Sequence, residues 1–533
     1  MAKNSAIRRD VGAIALLMTG IGSIIGSGWL FGAAKAARLV GPDAVFAWMI
    51  GAAIILIIAL AYAELGAMFP ESGGMVRYGL YTHGSLVGAL AAWASWISIV
   101  SVIPVEADAS VQYMASWPWE WAQPWAGNMF SGGQLTHSGM WVGGALVIIY
   151  FLLNFWSVKL FATTNTVITS FKLVIPAATA LSLIAAGFHH SNFDVGTHGG
   201  AHTTDIAGIL TAVATAGIVF SFNGFQSPVN LAGEAKNPGR NVPLAVVGSI
   251  LICAGIYVLL QFAYLGAVSP DLLTKSGWSG INFSSPYAQL ALALNLNWMA
   301  LLLYADAFVS PSGTGSTYTA SSARMIYGME KNGILPKVFG RIHPVWGIPR
   351  PAMWLNLLIA FGFFFWFKGW DTGASVTSVA CVISYLIGPV SVVVLRRVAP
   401  DMKRPLKIPA LQWIAGTAFM LGTLVLYWAR WPLTGEVIVV MLGVLPFWFY
   451  YEAKGGWQDL KRQMHGAWWL VLYLPTVALL SYIGSSNFGG LNFIPFGWDL
   501  LVVALVGLGF YWWGIKTGWK TLHLEAATAE TFH

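Results

Sequence analysis

Long apolar runs separated by short polar connections dominate the chain. A hydrocarbon core of roughly 30 Å takes about 20 apolar residues of helix to cross. By that rule spans start near Val11, Asp43, Gly84, Gly139, Phe161, Ile206 and Pro243. Others start near Trp298, Pro351, Ser375, Leu411, Pro432, Trp468 and Leu500. The pattern predicts an all-α polytopic membrane protein with about fourteen transmembrane helices by the same length rule. The period-two alternation of membrane β-strands is absent.

Composition narrows this further. Of 533 residues, 28 are Lys or Arg and 21 are Asp or Glu, which is 9%, against roughly 25% in a soluble domain. The mean hydropathy is +0.68. A water-soluble globule this apolar would expose large bare patches. A soluble enzyme, a disordered chain and a secreted disulfide scaffold are excluded. Cys253 and Cys381 both lie in apolar runs, so neither a disulfide framework nor a CxxC metal pair is available.

The few charges give an orientation. Arg77, Lys159, Lys236, Arg240 and the basic stretches 331–350, 396–407 and 454–462 fall on the same side as Arg8 and Arg9. The opposite loops hold Lys275, Lys368 and Arg430, with Lys35 and Arg38 ending the first span. The positive-inside rule then puts both termini in the cytoplasm of a cell that carries the chain in its plasma membrane. The net charge of +7 follows from this topology and calls for no nucleic acid partner. Contact with anionic membrane lipid is the default reading of the basic face.

Two loops stand out. Residues 116–138 are rich in Trp and free of Lys and Arg, which suits an external loop at the interface. Residues 189–205 carry His189, His190, Asp194, His198 and His202, but at no tight metal-ligand spacing and among glycines. No metal and no cofactor is expected.

The first span reads TGIGSIIGSGWLFGA, with Gly20, Gly22, Gly26, Gly28 and Gly32 near its middle. Gly costs a helix interior about 1 kcal/mol relative to Ala. The glycines form either a packing face, through the GxxxG pair Gly22 and Gly26, or an unwound stretch facing a cavity. The sixth span, TAVATAGIVFSFNGFQSPVNLAGE, carries Asn223, Gly224 and Pro228 near its centre. Pro cannot continue the helical ladder without loss. Two spans broken at similar depth, five apart, point to inverted repeats around a midplane site. The expected organisation is a tail over 1–10, a first five-helix repeat over 11–187 and an inverted second repeat over 206–397. Four additional helices follow over 410–517, then a cytoplasmic tail over 518–533.

Broken helices supply their own chemistry. A half-helix starting near Gly28 offers free N–H groups and a positive dipole end, which suit a carboxylate. Ser27 can add a hydroxyl. Carbonyls freed around Ser23, Ile24, Phe220 and Asn223 suit an ammonium group. Together these two ends describe an α-amino acid.

These residues also carry a resemblance. GSGWLF, FSFNGFQ, AGEAKNPGRNVP, SARMIYGMEKNGILPKVF and YAELGAMFPESGG resemble the amino acid–polyamine–organocation superfamily. LNFWSVKLFA, DAFVSPSGTGS and HGAWWLVLYLPTVALLSYIGSS resemble its bacterial aspartate–proton symporters. The likeness runs from the first span to the fourteenth. It implies a core of two inverted five-helix repeats followed by extra helices. It also implies that Gly26, Ser27 and Gly28 form a carboxylate-binding turn. Carbonyls at Ser23, Ile24, Phe220 and Asn223 would hold the amino group, and Phe220 would gate the external side.

Charges at depth come next. Lys172 lies about ten residues into the fifth span, near the midplane at 1.5 Å per residue. A Lys there costs about 2.5–3.5 kcal/mol to insert, so it implies pairing or function. Burial disfavours the charged form of an amine, so such a Lys can collect a proton on one side and release it on the other. The alternative is a structural Lys bonded to carbonyls. The resemblance places its ammonium between spans one, five and eight. Asp306, Ser310, Gly313, Thr314 and Thr317 share one face of span eight. Ser310 and Thr314 match positions expected to contact the ammonium. Asp306 either relays a proton or sits in a wet outer vestibule. Glu106 and Asp108, two residues apart, point to different faces, and Glu106 is the deeper candidate for the pathway. Glu64 reads as structural.

The functional expectation is a proton-coupled amino acid symporter, importing aspartate or a related amino acid. Gln226, Asn223 and the span-eight hydroxyls could donate neutral hydrogen bonds to an acidic substrate. The acids Glu106, Asp108 and Asp306 would steer cations, so a neutral or cationic amino acid, or an amine, stays open. So does an exchanger or a sensor on the same fold. A membrane-embedded enzyme would need a nucleophile–base pair or a metal cluster at depth. The spans offer no His and no HExxH motif for it.

Overall fold

The computed structural model describes residues 9–71, 74–156, 158–193, 205–331, 333–343, 348–457 and 459–531, with backbone alone over 156–168 and 529–531. Arg8, Asp194, His198, His202 and the Lys159 side chain lie outside the described residues.

The described chain is helical throughout its apolar runs. Eleven helical stretches among the described residues are long and apolar enough to cross a membrane. The sequence pattern predicts about fourteen by the length rule, and the difference has local causes. The first apolar run is split into α1 (Ala13–Ile24) and α2 (Gly28–Val40), and α3 (Ala44–Met68) follows α2 within one stretch, Gly28–Met68. The run from Ile206 is split into α8 (Ile206–Thr215), α9 (Ile218–Ser221) and α10 (Ser227–Asn230). A third helix, α12 (Asn297–Lys331), is long but carries many hydroxyls and falls short in hydropathy. Between these lie α4 (Ser85–Val100), α5 (Val102–Met114), α6 (His137–Trp156), α7 (Val158–Ala186) and α11 (Pro238–Ala267).

Burial sorts the helices. Almost every residue of α4 and α5 is covered by protein, as is α14 (Trp370–Tyr385) running into α15 (Ile387–Val398). α7 and α11 instead expose Phe171, Val174, Leu181, Leu244 and Leu251 on one side. A helix apolar all round is either central or lipid-covered. Here α5 and α14 form the centre, while α7 and α11 turn one side outward and bury Lys172 and Tyr257 on the other.

Small residues allow the close approach. Cβ atoms at Gly20 and Gly22 would crowd Ser249 and Thr169, and one at Gly32 would crowd Trp48. These three glycines serve packing. Gly26 and Gly28 lie at the interruption itself.

At one end, Glu64 is fully buried and accepts two hydrogen bonds from Arg396, at 2.5 and 2.8 Å, plus the Ile408 N–H at 3.0 Å. This bidentate pair ties α3 to α15. The Trp-rich loop packs Trp117, Trp119, Trp121 and Trp125 on one another beside a short hairpin, Phe130–Ser131 with Gln134–Leu135. Beyond α15, α16 (Leu411–Trp428), α19 (Leu460–Ile483) and α20 (Trp498–Thr517) pack together, and α17 (Leu433–Leu442) leads into α18 (Val444–Lys454). Within this group the buried Asp499 accepts from Tyr427 at 2.7 Å and from the Gly497 and Leu500 N–H groups.

Candidate functional site

The two interrupted helices meet where they break. Ile25 leaves α1 with extended backbone, φ −80° and ψ 95°. Gly217 leaves α8 at φ +82°, and Gly224 between α9 and α10 has φ +125°. A Cβ on Gly224 would lie 2.5 Å from the carbonyl carbon and oxygen of Ser23. Only glycine permits both that dihedral and that backbone contact. The unwound stretches therefore touch through main chain.

The first break is closed by charged groups. The Ser27 N–H donates to Glu106 at 2.9 and 3.2 Å, so the carboxyl of α5 sits at the N-terminus of α2. That is where free N–H groups and the helix dipole favour an anion. The Ser27 hydroxyl accepts from the Trp370 indole at 2.8 Å. On the carbonyl side, Lys172 donates to Gly22 O at 3.1 Å and to the Thr314 hydroxyl at 2.6 Å. Tyr318 donates to Ser23 O at 3.4 Å. Tyr257 lies 3.3 Å from Ile24 O and 3.1 Å from Ser221 O, spanning both breaks.

The second break is closed by neutral groups. The Gly224 N–H donates to Gln226 Oε1 at 3.0 Å, and Gln226 Nε2 donates to Asn223 Oδ1 at 3.0 Å. The Tyr385 hydroxyl lies 2.8 Å from Asn223 Oδ1 and 3.0 Å from Gln226 Oε1. Tyr385 is itself held where α14 breaks into α15. There Tyr62 donates towards the Ser384 and Tyr385 carbonyls and accepts from the Gly388 N–H.

Between the breaks, Ser23, Ile24, Gly26, Phe220 and Asn223 line a cavity with Val102, Glu106, Thr314 and Tyr318. Its volume is about 10 Å³, counted as room for the centre of a water molecule. That is space for one water, so a substrate enters only as the lining moves. Above it, Trp370 packs against Phe31 and Phe220, with ring centroids 4.8 and 5.8 Å apart. One turn further along α2, Lys35 pairs with Asp371 at 2.5 Å.

The other acids lie elsewhere. Glu106 is 1%, Asp108 0% and Asp306 2% exposed. Glu106 reaches the break, whereas neither carboxyl oxygen of Asp108 has a hydrogen-bond partner. Asp306 accepts from Ser310 at 3.1 Å, and its other oxygen has no partner. Ser310 is thus turned to Asp306, one helical turn earlier, while Thr314 meets Lys172. Among the described residues, no three His, Cys, Asp or Glu side chains converge as a metal cage would.

Trp370, Tyr385, Tyr257 and Tyr318 belong to the site but were not singled out by the sequence. With 27 Trp and 18 Tyr in the chain, an aromatic residue in a span carries little signal. Trp370 alone gives a hint, standing beside an acid at the start of an apolar run.

Residues 11–450 match a family described as amino acid permease. A glutamate/serine transporter, AimA, of Bacillus subtilis (strain 168) is 54% identical over 521 residues, covering 98% of this chain and 96% of the relative. An aspartate-proton symporter of the same organism is 35% identical over 525 residues, covering 97% of this chain and 98% of the relative. More distantly, the b(0,+)-type amino acid transporter 1 of Homo sapiens is 24% identical over 472 residues, 85% of this chain and 90% of the relative.

Proposed function

Because the chain belongs to the amino acid permease family, and is a multi-pass membrane transporter rather than an enzyme, we propose that it is a proton-coupled amino acid symporter working in the direction of import. Its substrates are glutamate, serine, aspartate or a close relative. The names of two relatives support that set, one a glutamate/serine transporter and the other an aspartate-proton symporter.

The observation that carries the mechanism is the Glu106 carboxyl on the Ser27 N–H. A substrate carboxylate needs the same N–H at the same half-helix end. Two carboxylates cannot share it. Protonation of Glu106 weakens its hold on the N–H and admits the substrate, so proton and amino acid enter together. Lys172, tied to Gly22 O and Thr314, links the same break to α12. Loss of a proton from either group changes the charge inside the break, where low dielectric makes that change felt. Ser23, Ile24, Phe220 and Asn223 receive the substrate amino group through carbonyls, and Gly26, Ser27 and Gly28 its carboxylate. Asp306 takes the Ser310 hydroxyl and sets its charge on the α12 face that meets Lys172 through Thr314.

We read the architecture as fourteen crossings. Each interrupted run and α12 count as one crossing, and Gly28–Met68 is divided at its turn. Residues 11–187 and 206–397 then form the two inverted repeats, each opening on a broken helix. Residues 410–517 add four helices for packing in lipid. Both termini face the cytoplasm of a cell whose plasma membrane holds the protein, by the distribution of Lys and Arg. No cofactor is invoked.

The test is uptake of labelled glutamate, serine and aspartate into proteoliposomes under an imposed pH gradient. Wild type should accumulate substrate when the exterior is acid, and Lys172→Gln should lose on the order of 100-fold of that driven uptake, the value of a charged hydrogen bond. Counterflow that ignores the gradient would replace symport by exchange.

A further inference from the structure

The neutral amides at the second break have a fixed direction, and it can be deduced from the main chain. A backbone N–H can only donate. The Gly224 N–H therefore requires an acceptor, which identifies the Gln226 atom 3.0 Å away as Oε1. Its other terminal atom is then Nε2, a donor, and the Asn223 atom 3.0 Å from it must be Oδ1. Reversing either amide would set donor against donor. The Tyr385 hydroxyl, with one hydrogen to give, adds a second donor on Asn223 Oδ1 at 2.8 Å. Asn223 Oδ1 is thereby doubly occupied.

What remains is Asn223 Nδ2. It is buried, it has no hydrogen-bond partner, and it belongs to a residue lining the cavity between the breaks. An unpaired buried donor costs about 1–3 kcal/mol. Glu106, on the opposite wall, is engaged by Ser27. We infer that Asn223 Nδ2 is a specificity-determining donor, aimed by Gln226 and Tyr385, that takes up an oxygen acceptor on the substrate side chain. This rests on the amino acid transport proposed above and names its side-chain class: hydroxyl or carboxylate, in preference to a bare alkyl chain. The donor carries no charge, so it serves a serine-like hydroxyl and an acidic side chain alike. An alkyl side chain of similar size leaves it unpaired.

The experiment compares serine, glutamate and alanine uptake in proteoliposomes of wild type, Asn223→Leu and Tyr385→Phe. Asn223→Leu keeps volume and removes the donor, together with the Oδ1 acceptor of Gln226 and Tyr385. Relative to the KM for alanine, the KM for serine and glutamate should rise about five- to tenfold, the worth of a neutral hydrogen bond. Size-exclusion chromatography of the purified variants reports folded protein. Tyr385→Phe removes one of the two donors holding Asn223 Oδ1 and should shift the serine-to-alanine ratio in the same direction by about twofold, a fraction of one hydrogen bond. If Asn223→Leu loses alanine uptake as well, the Tyr385→Phe ratio decides. An unchanged serine-to-alanine ratio in the folded variants overturns the inference. So does a wild type that prefers alanine to serine. A wild type with no gradient-driven amino acid uptake at all would instead overturn the symport proposal.

Discussion

The two breaks are made of the same material and finished differently. Both are short unwound stretches containing glycine, and they touch at Ser23 and Gly224. The first is then closed by Glu106 on its N–H side and Lys172 on its carbonyl side. The second is closed by Asn223, Gln226 and Tyr385, without a charge. The difference separates two tasks within a few ångströms. In the transport proposed above, groups able to gain or lose a proton sit at the break that would take the substrate carboxylate, and groups that keep one state sit where its side chain would be read. A charge at the second break would couple selectivity to pH, and a neutral first break would leave nothing for a proton to change.

The contact between the breaks is the feature both tasks need, so disturbing it has the largest expected effect. Gly224→Ala places a methyl group 2.5 Å from the Ser23 carbonyl and strains a residue at φ +125°. The combined cost is on the order of 3 kcal/mol. Uptake of every substrate should fall to background, under a pH gradient and in counterflow alike. A variant that retained counterflow would show that the breaks move independently.

Removing the charge from the first break sharpens the comparison. In Glu106→Gln the side-chain oxygen can still accept from the Ser27 N–H, but protonation no longer alters it. Counterflow of serine should survive with a moderate rise in KM. Uptake with and without the pH gradient should become the same. A variant still driven by the gradient would move the coupling proton to Lys172 or Asp306. The Asn223→Leu variant should do the reverse, altering selectivity while keeping the response to the gradient.

Much of this site could be read in the chain, for identifiable reasons. Lys172 and Glu106 stand out because a charge in an apolar run is costly. The breaks stand out because Gly and Pro oppose a helix. What stayed hidden depends on contacts between distant segments. Ser310 shares a face with Thr314, and the family resemblance groups both with Lys172. Asp306 lies one turn before it on that face and takes its hydroxyl. Tyr385, Trp370 and Tyr257 look like any aromatic residue in a span. Their roles come from carbonyls and amides made available by breaks far away in sequence. Counting spans by apolar length shows the same limit, since α1 and α8 stop at the breaks and the apolar pattern of α12 is interrupted by many hydroxyls.

The smallest expected effect lies outside both breaks. Lys35 on α2 and Asp371 on α14 pair at 2.5 Å just above the Ser27 to Trp370 hydrogen bond. Side-chain exposures are 15% for Lys35 and 49% for Asp371. A pair this wet is worth about 0–1 kcal/mol, and salt screens it. Glu64 and Arg396 make the contrasting pair, bidentate with the carboxyl fully buried, and their loss should cost folded protein. Asp371→Asn should leave the amount of folded protein and the response to a pH gradient unchanged. It should alter KM less than about fivefold, and less still at high salt. A larger change, persisting in salt, would mean that this pair and not the aromatic contact of Trp370 with Phe220 covers the cavity.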